Sequence, residues 1–97
     1  MKGNSLNVLM LGGARRVSLS ELLRQSGARL GQEIKLFSYE LFKEVPVAAV
    51  AQVIVGRKWS DPDVVNDIVR VCREHDIDII LPFVDGAIEI ASKCIPL

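Results

Sequence analysis

Four short stretches of this 97-residue sequence carry side chains able to hold a ligand: Gly12-Gly13-Ala14-Arg15-Arg16, Ser38-Tyr39-Glu40, Gly56-Arg57-Lys58-Trp59 and Pro82-Phe83-Val84-Asp85-Gly86. The first has the makings of an anion site. Glycines between a strand and a helix let the backbone approach a phosphate at the helix N-terminus, where unpaired N–H groups favour negative charge. Gly12 and Gly13 stand in that place, with the cations Arg15 and Arg16 two and three residues on. A dinucleotide fingerprint asks for glycines at its first, third and sixth positions. Here Ala14 takes the third place and Arg15 and Arg16 stand where backbone contact is wanted, so bound NAD or NADP is the lesser reading. The plainer alternative is a tight turn whose arginines are solvated or paired with Glu40 or Asp85. Glu40 follows the second strand, where dinucleotide-binding enzymes place an acid on a ribose hydroxyl. It lies 27 residues beyond Gly13, somewhat more than the usual separation of about 20. As an acid in a charged turn with Lys43 and Glu44 it needs no ligand, and Asp85 is accounted for as a helix N-cap.

Other chemistries lack their residues. His75 is the sole histidine and ends a helix; the sequence has no Ser-His-Asp order, no P-loop lysine motif, no metal-ligand cluster and no carboxylate pair spaced for a shared active site. No catalytic residue and no metal ligand is assigned. Cys72 and Cys94 have neither C-x-x-C spacing nor neighbouring histidines, and read as reduced thiols. Trp59, beside Arg57 and Lys58, is either a contact residue or a plug ahead of a capped helix. Twelve basic and twelve acidic residues give a formal charge of zero, so no global field draws the protein onto nucleic acid or an anionic membrane. No apolar run approaches the roughly 18 residues of a membrane span, and no signal peptide is expected from the polar Gly3-Asn4-Ser5 and the short apolar segment after it. A cytoplasmic location is expected.

The elements that position these stretches alternate along the chain. Asn7–Leu11 is a near-continuous apolar run, as expected of a strand covered on both faces. Val17, Leu19, Leu22, Leu23 and Leu30 recur at helical spacing, Ser18 with Glu21 has the form of a capping box, and Gly27 is the expected C-cap. Strands are expected at 34–39, 53–55 and 77–83, with one or two helical turns over 47–51. Asp61 at the N-cap and Pro62 at the first position open a helix with the apolar stripe Val64, Val65, Ile68, Val69 and Cys72. Asp85 starts a last helix carrying Ile88, Ile90 and Ala91. This order predicts one α/β domain over 1–97: a three-layer, Rossmann-like open parallel sheet of about four strands with helices on both faces. In such sheets ligands gather at the carboxyl ends of the strands, where all four stretches arrive.

Four segments in order, Val8–Val17, Ser38–Glu40, Trp59–Asp63 and Ile77–Asp85, resemble the N-terminal pre-ATP-grasp domain of ATP-grasp ligases, nearest to carbamoyl-phosphate synthase large-subunit-like proteins. The most telling parts are the glycine-arginine-arginine turn and the Asp-Pro-Asp helix start feeding Ile-Asp-Ile-Ile-Leu-Pro. The resemblance implies a domain that supports the active site of an ATP-dependent carboxylate–amine ligase. It implies that the acceptor substrate is held from the loops Gly12–Arg16, Ser38–Glu40 and Phe83–Gly86. Gly12, Gly13, Ala14, Arg15, Arg16, Glu40 and Asp85 are thus the expected substrate or anion contacts. The same resemblance assigns ATP and magnesium to an ATP-grasp region not contained in these 97 residues, so that the chain is expected to be a piece of a longer polypeptide and inactive as a ligase by itself. Two other readings stand beside it: a dinucleotide-binding fragment of an oxidoreductase, and a non-enzymatic interaction module, such as a homodimer formed through surface that a missing domain normally covers.

Overall fold

The computed structural model describes residues 5–94, with the Asp85 side chain outside the described set. The elements are β1 (Ser5–Leu11), α1 (Val17–Arg29), β2 (Glu33–Glu40), a 3-10 turn at Pro46–Ala49, β3 (Gln52–Val55), α2 (Val64–Glu74), β4 (Ile79–Pro82) and α3 (Asp85–Lys93). The four strands form one sheet in the order β3-β2-β1-β4, with every neighbouring pair parallel. In the register, Val8 lies between Leu36 of β2 and Ile79 of β4. The chain winds outward from β1 to β3, then crosses back to set β4 on the other side of β1. The reversal therefore falls between β1 and β4, the place where open α/β sheets leave a crevice beyond the strand ends.

Alternation along β1 builds a core on each face. Leu9 and Leu11, with Phe37 and Tyr39 of β2, pack against Val64, Ile68, Val71 and Cys72 of α2 and Ala87, Ile90, Ala91 and Cys94 from α3 and its end. Val8 and Met10 face the other way, with Leu36 and Val47. The Ser20 hydroxyl, 3.3 Å from the Met10 sulfur, seats α1 on this second face. Full burial of each large apolar side chain contributes on the order of 1.5–3 kcal/mol, which explains why the central strand is the apolar run Val8–Leu11. The result is the expected three-layer, Rossmann-like α/β sheet. No helix among the described residues is long and apolar enough to cross a membrane.

Several element details differ from the sequence reading. The buried residues of α1 are Ser20 and Gly27, whereas Leu19, Leu22 and Leu30 are exposed, Leu30 to 85%. The inward face is made of small residues because the helix lies close against the sheet; a Cβ on Gly27 would come within 2.6 Å of Ile34 Cδ1. Gly27 is therefore inside α1 and not its cap. The helix closes on Leu30 and Gly31, with the Gln32 N–H donating to Gly27 O at 2.8 Å and the Gly31 N–H to Ala28 O at 3.1 Å, the paired bonds of a Schellman end. The Ser18–Glu21 capping box does not form: α1 has no side-chain cap, and Glu21 pairs with Arg24 at 3.0 Å. Asp61 shapes a turn ahead of α2, its carboxylate accepting the Asp63 N–H at 2.7 Å and its carbonyl the Val64 N–H at 3.1 Å.

Candidate functional site

A cleft of about 910 Å3 opens at the carboxyl ends of the strands, over the point where the strand order reverses. Its floor is set by β1 and β4, held side by side by the Phe83 N–H donating to Leu11 O at 3.0 Å. After Leu11 the chain turns through Gly12, at φ +79°, and Gly13, whose carbonyl accepts the Arg16 N–H at 2.9 Å. The 3-10 turn braces the same loop, since the Val47 N–H donates to Ala14 O at 2.9 Å. Gly12, Ala14, Arg15 and Arg16 line the cleft where α1 begins without a side-chain cap. The Arg16 guanidinium lies over the Phe83 ring, 5.9 Å from its centroid, at the range of a cation–π contact.

Glu40 also lines the cleft, but its carboxylate is turned onto the loop behind it. It accepts the Gly13 backbone N–H and the Ser38 hydroxyl. Burial pushes the Glu40 carboxyl above its ordinary value, and these two hydrogen bonds oppose the shift without cancelling it. Both of the acid's tasks are therefore structural: it fixes the glycine turn to the end of β2. It forms no ion pair with Arg15 or Arg16, so the reading in which Glu40 neutralises the arginines is set aside. Of the expected contacts, five line the cleft, Gly13 is buried beneath it, and the Asp85 side chain lies outside the described residues, although α3 begins at Asp85 next to the cleft residue Val84.

The far wall comes from residues that the sequence places in the ligand-side stretches, but that are not among the seven expected contacts. Tyr39, fully buried, accepts the Arg57 N–H at 2.8 Å and donates to the Asp67 carboxylate of α2. Burial, then the bond to the Asp67 carboxylate, hold the Tyr39 phenol well above its usual range. Burial pushes the Asp67 carboxyl up, but donation from Tyr39 and Arg70 outweighs this and leaves it below the ordinary carboxylate range. Trp59 stacks against Tyr39 with ring centroids 5.9 Å apart and planes inclined by 28°. Gly56 permits this approach, because a Cβ there would fall 2.0 Å from Tyr39 Cζ. Leu41, Phe42 and Val45 line the side toward the β2–β3 connection. The signal for this wall is positional: Tyr39, Trp59 and Phe83 all lie at or just past a strand's carboxyl end.

Charge is distributed unevenly. Among the described residues lining the cleft, Arg15, Arg16, Arg57 and Lys58 stand against one carboxylate, Glu40, in a chain of zero net charge. Arg57 is held by Asp61 at 3.1 Å, while no described carboxylate pairs with Arg15, Arg16 or Lys58. His75 sits at the opposite end of the sheet, its ring 5.1 Å from Phe37 and its carbonyl accepting the Asn7 amide at 2.9 Å, and takes no part in the cleft. Cys72 and Cys94 are buried free thiols. Compared with protein-family models and with curated proteins, the sequence has no significant match to either. Fold and cleft alone therefore define the class: a Rossmann-like α/β open sheet with a cationic, aromatic-walled crevice at its switch point.

Proposed function

We propose that this chain is the N-terminal, substrate-side domain of an ATP-dependent carboxylate–amine ligase of the carbamoyl-phosphate synthase-like kind. The observation that carries this reading is the convergence, in one cleft, of the Gly12–Arg16 turn, the end of β2 at Glu40 and the Phe83–Val84 segment ahead of α3. These are the loops through which the resembling family holds its acceptor. In this reading the domain binds the acceptor through Arg15 and Arg16 and presents it to an ATP-grasp region elsewhere in the polypeptide, which supplies ATP and magnesium. Among the described residues no three His, Cys, Asp or Glu side chains gather to hold a metal. Glu40, the one carboxylate among the described residues lining the cleft, is already engaged by two donors.

The same engagement disfavours a dinucleotide. The acid that would hold a ribose hydroxyl is bonded to Gly13 and Ser38, and Arg15 and Arg16 occupy the stretch where a pyrophosphate needs bare backbone. The test is release of ADP by the longer polypeptide that this reading requires, in the presence and absence of carboxylate acceptors, beside an NADH titration of the 97-residue chain. Acceptor-dependent ADP release with no saturable NADH binding supports the ligase domain; saturable micromolar NADH binding overturns it in favour of the oxidoreductase fragment.

A further inference from the structure

The walls of the cleft specify more than an anion. The cleft is lined by three cations without a described carboxylate partner, Arg15, Arg16 and Lys58. It is lined as well by Trp59, Phe83 and Phe42, the last 70% exposed. A small hydrated anion would neutralise the cations and leave the rings facing water. A neutral apolar molecule would cover the rings and leave the cations unmet. A volume of about 910 Å3 suits a small organic molecule, since such sites are mostly apolar with a few convergent polar groups that fix orientation.

We propose that the cleft binds a small organic acid with a flat, apolar, ring-bearing body, its anionic group at Arg15 and Arg16 where α1 begins and its ring against Trp59 and Phe83. This deepens the ligase reading, on which it rests, by naming the class of acceptor. Its parts are independent: the arginines set the demand for charge, and the aromatic wall sets the demand for a ring. The Arg16–Phe83 contact sets a cation beside a ring, so that one ligand can touch both.

Trp59 is the chain's only tryptophan, and its emission reports the cleft directly. The chain is titrated with phenylacetate, phenyl phosphate, acetate, inorganic phosphate and 2-phenylethanol. Phenylacetate or phenyl phosphate is expected to change Trp59 emission saturably, with a dissociation constant about tenfold or more below those of acetate, phosphate and the alcohol, a difference large enough to rank the parts of the site. The better of the two identifies the acid as carboxylate or phosphate. Binding is expected to weaken as salt is raised, and to weaken about fivefold or more in Arg15→Gln/Arg16→Gln at unchanged Tm, with recovery in Arg15→Lys/Arg16→Lys. The proposal is overturned if 2-phenylethanol matches the aromatic acids, if acetate or phosphate matches them, if no saturable change occurs, or if neither salt nor the glutamine variant weakens binding. Failure here with acceptor-dependent ADP release intact discards the ligand class alone; saturable NADH binding discards the ligase reading as well.

Discussion

The Glu40 carboxylate accepts the Gly13 backbone N–H, tying the end of β2 to the turn that follows β1. An acid in the position of a ribose-binding residue thus serves as a clamp on the loop that carries Arg15 and Arg16. Glu40→Ala removes the acceptor of that N–H, and a loss of about 1–3 kcal/mol is expected in a urea titration. Glu40→Gln keeps an amide oxygen in place and should cost less.

The protonation of Glu40 gives the clamp a pH signature. Its pKa lies above 4.5 in the folded chain, so the folded state holds the proton after the unfolded state has released it. Its contribution is full below the unfolded value and declines as pH rises through the folded one. Denaturation midpoints measured upward from pH 4 should show this decline in the unaltered chain, and the Glu40→Gln profile should lack it.

Cys72 supplies the corresponding alkaline limit. Burial, with a smaller contribution from Cys94, raises its thiol from 9.0 to about 11. Between those values the unfolded chain loses a proton that the folded chain keeps, so stability falls as pH rises from 9 to 11, by on the order of 2 kcal/mol. Cys72→Ala, whatever its cost near pH 7, should make the fall over that interval shallower, the remainder coming from Cys94 and Tyr39, whose groups burial also raises.

Gly56 and Tyr39 form a second tight junction. A methyl group at Gly56 would lie 2.0 Å from Tyr39 Cζ, so Gly56→Ala is expected to cost about 1–3 kcal/mol or more by overpacking. It should also shift the Trp59 emission, because the displaced ring stacks on that indole. Tyr39→Phe relieves no clash, but leaves the Arg57 N–H without its acceptor and Asp67 with Arg70 as its remaining side-chain donor, at about 1–3 kcal/mol.

The outward leucines of α1 separate helical spacing from burial. Leu22 is 53% exposed, whereas Ile68 is fully buried between α2 and the sheet. Leu22→Gln should leave the denaturation midpoint within about 0.5 kcal/mol, while Ile68→Ala should cost about 2–5 kcal/mol.

That contrast shows where the sequence was legible. The strands and α2 are marked by local signals: the run Val8–Leu11 and the stripe Val64, Ile68, Cys72 both report their own burial. In α1 the leucine spacing announces a helix but not which side meets the sheet. That choice is made by Ser20 at Met10 and Gly27 at Ile34, contacts that exist only after β1 and β2 have paired. The site divides the same way. Gly12–Arg16 and Glu40 stand out by position after strands, yet the inward turn of Glu40 depends on a partner 27 residues away. Trp59 reads from sequence as either a contact residue or a plug, and becomes a cleft wall because β3 lies beside β2 and brings it onto Tyr39.

The central claim is that Arg15 and Arg16 hold the acceptor and take no part in binding ATP. Steady-state kinetics of Arg15→Ala/Arg16→Ala in the longer ligase polypeptide test it most directly. The account predicts an acceptor KM raised about tenfold or more, corresponding to about 1.4 kcal/mol of lost binding, with the KM for ATP unchanged. An unchanged acceptor KM accompanied by lowered thermal stability would contradict it, and would leave the arginines as a brace for the turn.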